Sequence, residues 1–183
     1  MPMLSATEHS VLQVRRWVAP GRLYALIDAC DTPSVPQRAR DAVKVGGTSR
    51  AVSLYKGRAE DEMWAIAPYL FAVDTDTFDW ISSSLWSEPW GCVVLSDATT
   101  EELRQHFRRF LTIRTPEGAD WYFRFYDPRV LRTYLATCTA AEIADFFGPV
   151  RAFGITNPET YGVTVLSITS PARVAAPRVA LVE

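Results

Sequence analysis

Lysine, histidine and cysteine are all scarce in this 183-residue chain, and each scarcity removes a class of function. Lysine occurs only at Lys44 and Lys56, so arginine supplies 17 of the 19 basic residues. The 21 acidic residues leave a net charge of −2. That balance argues against adhesion to nucleic acid or to a membrane surface by bulk charge. The two histidines, His9 and His106, lie far apart, and no G-x-S-x-G elbow accompanies either of them. Both read as surface residues. Cys30, Cys92 and Cys138 are isolated and odd in number, which excludes a disulfide framework and a C-x-x-C metal site; they read as buried, inert thiols. There is no G-x-G-x-x-G, and Gly46-Gly47 lacks the Lys-Ser/Thr of a phosphate-binding loop. No window approaches the ~18 uninterrupted apolar residues of a transmembrane helix. Glu8, His9, Arg15 and Arg16 interrupt the start of the chain, where a signal peptide would be apolar. The expectation is a cytoplasmic protein with no cofactor, no metal and no catalytic residues.

What is present has globular proportions: 48% hydrophobic and 22% charged residues can fill a core. Residues 1–20 carry a weak helical pattern through Val11, Val14 and Val18, and 31–47 reads as loop with one helical turn. Leu23–Ile27, Ala51–Tyr55, Tyr69–Val73 and Trp90–Ser96 read as strands. Phe78, Ile81 and Leu85 recur at helical spacing over 75–86. Thr99 and Glu102 form a capping box ahead of an apolar stripe through Leu103, Phe107, Phe110 and Leu111. Residues 112–126 read as a hairpin around Pro116-Glu117-Gly118. Asp127-Pro128 opens another helix, as N-cap and first helical residue. A second capping box, Thr139 with Glu142, precedes a helix that Gly148-Pro149 ends. Residues 150–155 and 162–168 close as strands.

This alternation of strands and helices predicts a single α/β domain, a mixed central β-sheet flanked by helices. The domain itself spans 22–169. An N-terminal segment with the weak helical pattern covers 1–21, and 170–183 form a loosely ordered tail.

Arg104, Arg108, Arg109, Arg114 and Arg132 can build a basic face. The aromatics fall on the apolar sides of their elements rather than between those arginines, so the face reads as solvated and not as an RNA surface. Six tryptophans are many for this length. Trp86, Glu88 and Trp90 sit within five residues on a loop between two elements. They are the candidate partner-binding anchors, because tryptophan and arginine dominate protein interfaces; core packing is the competing reading of the same tryptophans.

Several blocks occur in a fixed order: Leu23-Tyr24-Ala25-Leu26-Ile27-Asp28-Ala29, Ala67-Pro68-Tyr69-Leu70, Trp90-Gly91 running to Leu95-Ser96, and the 103–111 helix. Phe123-Arg124-Phe125-Tyr126-Asp127-Pro128-Arg129-Val130-Leu131 and Phe146-Phe147-Gly148-Pro149 follow. Together, over about residues 22–150, they resemble the type VI secretion adaptor-chaperones known as Tap or TEC proteins. The resemblance implies a bacterial cytoplasmic protein encoded beside a VgrG spike and a toxic effector. Such a protein binds the effector and helps load it onto VgrG, by protein–protein contact and without catalysis. Its expected partners are therefore the effector and VgrG, with neither nucleic acid nor membrane. The family signature here is Arg124, Asp127, Pro128 and Arg129, and it reads as structural. Longer members continue into a helical C-terminal region; if that region carries effector contacts in them, the resemblance implies that this chain makes its contacts with the core or with fewer residues. The alternative reading is a small enzyme or an accessory immunity-type protein from the same kind of locus.

Overall fold

The computed structural model describes residues 3–18, 22–30, 32–43, 50–115, 117–157 and 159–169. The expected tail from Ser170 lies outside them. The chain opens with strand β1 (Met3–Ser10) and a short helix α1 (Val11–Arg15), where the pattern predicts only a helix. β1 is exposed along most of its length and so lacks the apolar alternation that marks a buried strand. Its place is set by pairing instead, from Met3 opposite Thr169 to Ser10 opposite Gly162. Helix formation starts only where Ser10 and Gln13 make a capping box.

Strands β2 (Leu23–Asp28), β3 (Ala51–Ser53), β4 (Pro68–Ala72) and β5 (Gly91–Ser96) follow the apolar runs. With β8 (Val150–Asn157) and β9 (Gly162–Thr169) they complete a seven-stranded sheet in the order β1-β9-β8-β5-β2-β4-β3. The α/β class and the single central sheet stand. Every pairing in the sheet is antiparallel, however, which corrects the expected mixture of directions. The hairpin expected over 112–126, β6 (Thr112–Arg114) and β7 (Asp120–Tyr122), stands outside it as a separate two-stranded sheet. Gly91 fits where β5 crosses β2 because a Cβ there would lie 2.0 Å from the Leu26 carbonyl oxygen.

Helix α2 (Ser34–Val43) forms within the stretch expected as loop with one helical turn, of which residues 31 and 44–47 lie outside the described residues. Pro36 does not break it, since the first-turn N–H groups have no intrahelical partner to lose. The helix is anchored by the buried Val35 and Ala39. α3 (Arg58–Glu62) and a 3-10 turn (Trp64–Ile66) lead into β4, and α4 (Thr75–Ser84) is capped by Asp74, which accepts a 2.8 Å bond from the Thr77 amide. α5 (Thr100–Arg108) and α7 (Ala140–Phe147) begin at the two predicted capping boxes, and α6 (Pro128–Thr137) begins at Asp127. α2 and α5 pack on β3 and β4, α7 packs on β8, and α1 contacts β9 and α4.

Phenylalanine fills the core at the α5–α7–β8 junction. Phe146 lies 5.4 Å from Phe153 and 5.5 Å from Phe125, and Phe107 lies 5.7 Å from Phe125. Several surface readings fail here. His106 is buried in this cluster, its Nε2 2.8 Å from the Phe146 carbonyl, because it shares the α5 face of Leu103 and Phe107. Gly148, at φ 45°, ends α7 against that imidazole, and a Cβ there would sit 2.5 Å from His106 Cε1. Arg104 is half-buried rather than solvated, donating to the carbonyls of Ser53 at 2.8 Å and Tyr55 at 3.2 Å. Of the three thiols only Cys92 is buried, and burial pushes its pKa up to about 12; Cys30 is exposed and Cys138 half-buried.

Candidate functional site

The signature segment folds into two ion pairs of the same design. Arg124 reaches across 96 residues to Asp28 at the end of β2, with its Nε 3.0 Å from Oδ2. The second Asp28 oxygen accepts the Cys30 amide at 2.9 Å. Arg129 grips Asp127 through Nε at 2.9 Å and Nη2 at 2.6 Å, while the Asp127 carboxylate also accepts the Arg129 amide as N-cap of α6. In each pair the acid is buried and the base faces outward. The side chain of Asp28 is 3% exposed against 40% for Arg124, and that of Asp127 7% against 66% for Arg129. Burial opposes the charge on Asp127, but the hydrogen bonds and positive charge of Arg129, with Arg124 adding, hold its pKa below the usual aspartate value. Pro128 occupies the first helical position.

Beside these pairs Tyr55 and Tyr126 share a hydrogen bond, and burial raises the pKa of both, so neither hydroxyl ionises near neutral pH. Among the described residues no group of three or more His, Cys, Asp or Glu side chains is placed to hold a metal ion. The segment ties β2 to the start of α6 and leaves guanidinium edges at the surface.

The loop anchors separate. Trp86 and Trp90 are 2% and 1% exposed, so neither can serve as a surface anchor. Trp86 packs 6.1 Å from Phe78 and 6.4 Å from Trp90, and its Nε1 donates to the Tyr161 carbonyl at 3.3 Å. The loop is drawn inward because both flanking elements are core: Phe78 and Ile81 on α4, Cys92 to Val94 on β5. Glu88 stays outside. With Pro89 and Glu159 it forms one part of a groove of about 420 Å³ whose lining also includes Pro128, Arg129 and Arg132.

Exposed aromatics occur instead at Tyr161, whose carbonyl bonds Trp86, and on the hairpin. Trp121 and Tyr122 on β7 are each 62% exposed, and Ile113, opposite Trp121 on β6, is 45% exposed. The sequence carries no signal for this, because its aromatic run continues to Tyr126 while β7 ends at Tyr122; Arg114 lies opposite Asp120 at the turn end. Two three-residue strands cannot bury both of their faces. Phe123 carries the ladder one step further, its amide donating to the Leu111 carbonyl at 2.8 Å. Its ring meets Tyr134 of α6 at 4.9 Å. Phe123, Arg129, Val130, Thr133 and Tyr134 line a shallow, mainly apolar dish of about 440 Å³ next to the groove.

Fold and site together define an antiparallel α/β domain whose signature segment buries two aspartates under outward-facing arginines. No helix among the described residues is long and apolar enough to cross a membrane. The chain belongs to the family Domain of unknown function (DUF4123), whose model matches residues 23–145. No curated protein and no solved structure matches the chain.

Proposed function

We propose that this protein is an adaptor-chaperone of type VI secretion: it binds an effector in the cytoplasm and helps load it onto the VgrG spike through protein–protein contact, without catalysis. The observation that carries the reading is the family match over residues 23–145, the region that holds nearly all the ordered blocks resembling Tap/TEC adaptors. Exposed Trp121 and Tyr122 on the hairpin and the outward-facing Arg129 support it, since these residue types anchor protein interfaces. The Arg124–Asp28 and Arg129–Asp127 pairs build that surface rather than react.

The test is co-purification and a binding titration of this protein with the effector and VgrG encoded beside it, together with secretion from a strain lacking it. A stable complex is expected, with effector delivery lost while VgrG is still exported. Effector delivery that persists in the deletion strain, with no complex formed, overturns the reading. His9→Ala and His106→Gln are expected to leave loading intact; a folded variant that binds the effector but fails to deliver it would instead favour chemistry.

A further inference from the structure

The two edges of the seven-stranded sheet are built differently. β3 is three residues long, and Arg104 of α5, which packs on it, donates to the Ser53 carbonyl at 2.8 Å. β1 runs for eight residues, pairs with β9 alone, and keeps one unbroken register from Met3 to Ser10. Open edges in folded proteins are ordinarily blunted by lysine, proline, a bulge or a covering element. β1 contains no lysine, no proline and no bulge. Its one acidic residue, Glu8, turns back onto the sheet, where Oε1 accepts from the Thr164 hydroxyl at 2.6 Å. His9 likewise meets its own chain, 5.5 Å from Trp17.

The backbone groups that face off this edge can be named. In an antiparallel ladder a residue directs its N–H and C=O to one side, and its neighbours direct theirs to the other. The Ser10 amide donates to Gln13 Oε1 at 2.7 Å, so Ser10 turns its backbone away from β9. Leu4, Ala6 and Glu8 lie at steps of two from it and turn theirs the same way. Their outward N–H and C=O groups meet no partner among the described residues. Groups spaced with this period fit an extended strand and no other element.

We propose that a second copy of this chain covers the edge, with β1 pairing antiparallel to β1 of the other copy about a two-fold axis at Ala6. In that register the edge is its own complement. Leu4 faces Glu8 of the second copy, Ala6 faces Ala6, and Glu8 faces Leu4, so every outward N–H and C=O of these residues finds a partner. Sliding either strand by two residues leaves one end of the row unpaired. Glu8 lies opposite leucine rather than its own copy, so no like charges meet. The side chain that meets itself at the axis is alanine, which is small enough to do so. An isologous contact of this kind closes after two copies, and the capped β3 edge offers no route to further growth. The dimer does not depend on the adaptor reading.

Sedimentation velocity of the full chain from about 1 to about 300 µM reads the assembly, because one strand pair makes an interface of the weak, transient class. The mass is expected to double over that range and to rise no further. Ala6→Pro removes an outward N–H and no bond to β9, as proline on an edge strand can. It is expected to melt with the wild type and to dimerise about tenfold more weakly, having lost two hydrogen bonds across the axis. Ala6→Lys and Ala6→Glu each set like charges opposite one another and are expected to dimerise more weakly than the wild type, whereas an equal mixture of the two recovers the dimer. Only a residue that meets itself behaves in this way. A wild type that stays monomeric throughout, or Ala6 variants that all dimerise like the wild type, overturns the proposal. Weakened single variants with no recovery on mixing overturn the axis at Ala6. A monomeric wild type whose effector binding is lost with Ala6→Pro gives the edge to an extended client strand and overturns the second copy.

Discussion

The Trp86–Trp90 loop and the Trp121–Tyr122 hairpin each place two large aromatics beside a turn, yet one pair is core and the other faces water. The difference lies in what flanks them. α4 and β5 both carry core residues, and the six-residue connection between them turns its two tryptophans inward, so Trp86 packs on Phe78 and Trp90 on Trp86. β6 and β7 pair only with each other, as a sheet separate from the main one. Tyr122 retains a single ring neighbour, Tyr55, at 5.9 Å. Burial of an aromatic is therefore set by how many layers its element belongs to, and residue type alone does not decide it.

The comparison breaks most readily at the tryptophans. Trp86→Ala or Trp90→Ala is expected to cost about 3–5 kcal/mol of stability, whereas Trp121→Ala is expected to stay within about 0.5 kcal/mol of the wild type. Chemical denaturation of the three variants measures this directly. Equal losses in all three would mean that the hairpin is packed after all.

The two ion pairs sharpen it next. Arg124→Ala leaves the carboxylate of Asp28 buried without its guanidinium and is expected to cost about 3 kcal/mol, the low end for a broken buried pair because Arg124 is partly exposed. Asp127→Ala removes an N-cap and is expected to cost about 0.5–2 kcal/mol, most of it recovered in Asp127→Asn, since asparagine caps about as well. Melting curves for the three variants give the ranking. No rescue by asparagine would shift the role of Asp127 from cap to partner of Arg129.

The smallest effect concerns pH. Burial, outweighing the Phe146 carbonyl bond, holds the His106 pKa below its ordinary 6.5. The unfolded chain thus takes up a proton that the folded one refuses, and the stability His106 contributes is present above about pH 6.5 and lost as pH falls below it. Asp74 and Asp127, whose folded pKa values are depressed, keep their contributions until well below that range. Melting temperatures at about pH 7.5 and pH 5.5 are expected to drop more for the wild type than for His106→Gln, which cannot titrate. Equal drops would place the histidine in a wetter site.

Much of this molecule could be read locally. The two capping boxes, the Asp127-Pro128 start of α6 and the apolar runs of β2, β4, β5, β8 and β9 each carry a signal within a few residues, because a cap or a buried strand is specified by its own side chains. The core place of His106 was misread as surface, although 103, 106 and 107 share a helical face, because its arginine neighbours in sequence point the other way. The N-terminal strand was not legible either. β1 is an edge with polar residues on both faces, and only its partner β9 determines that it is extended.

By itself, then, the sequence determined the α/β class, most element boundaries and the residues that cap them, all consequences of interactions within about four residues. Tertiary structure decided the antiparallel direction of every pairing, the partner of Arg124 and which aromatics meet solvent. Each of those depends on groups distant in the chain, such as Asp28 and Arg124, 96 residues apart, whose meeting is fixed by the order of strands and not by any neighbour.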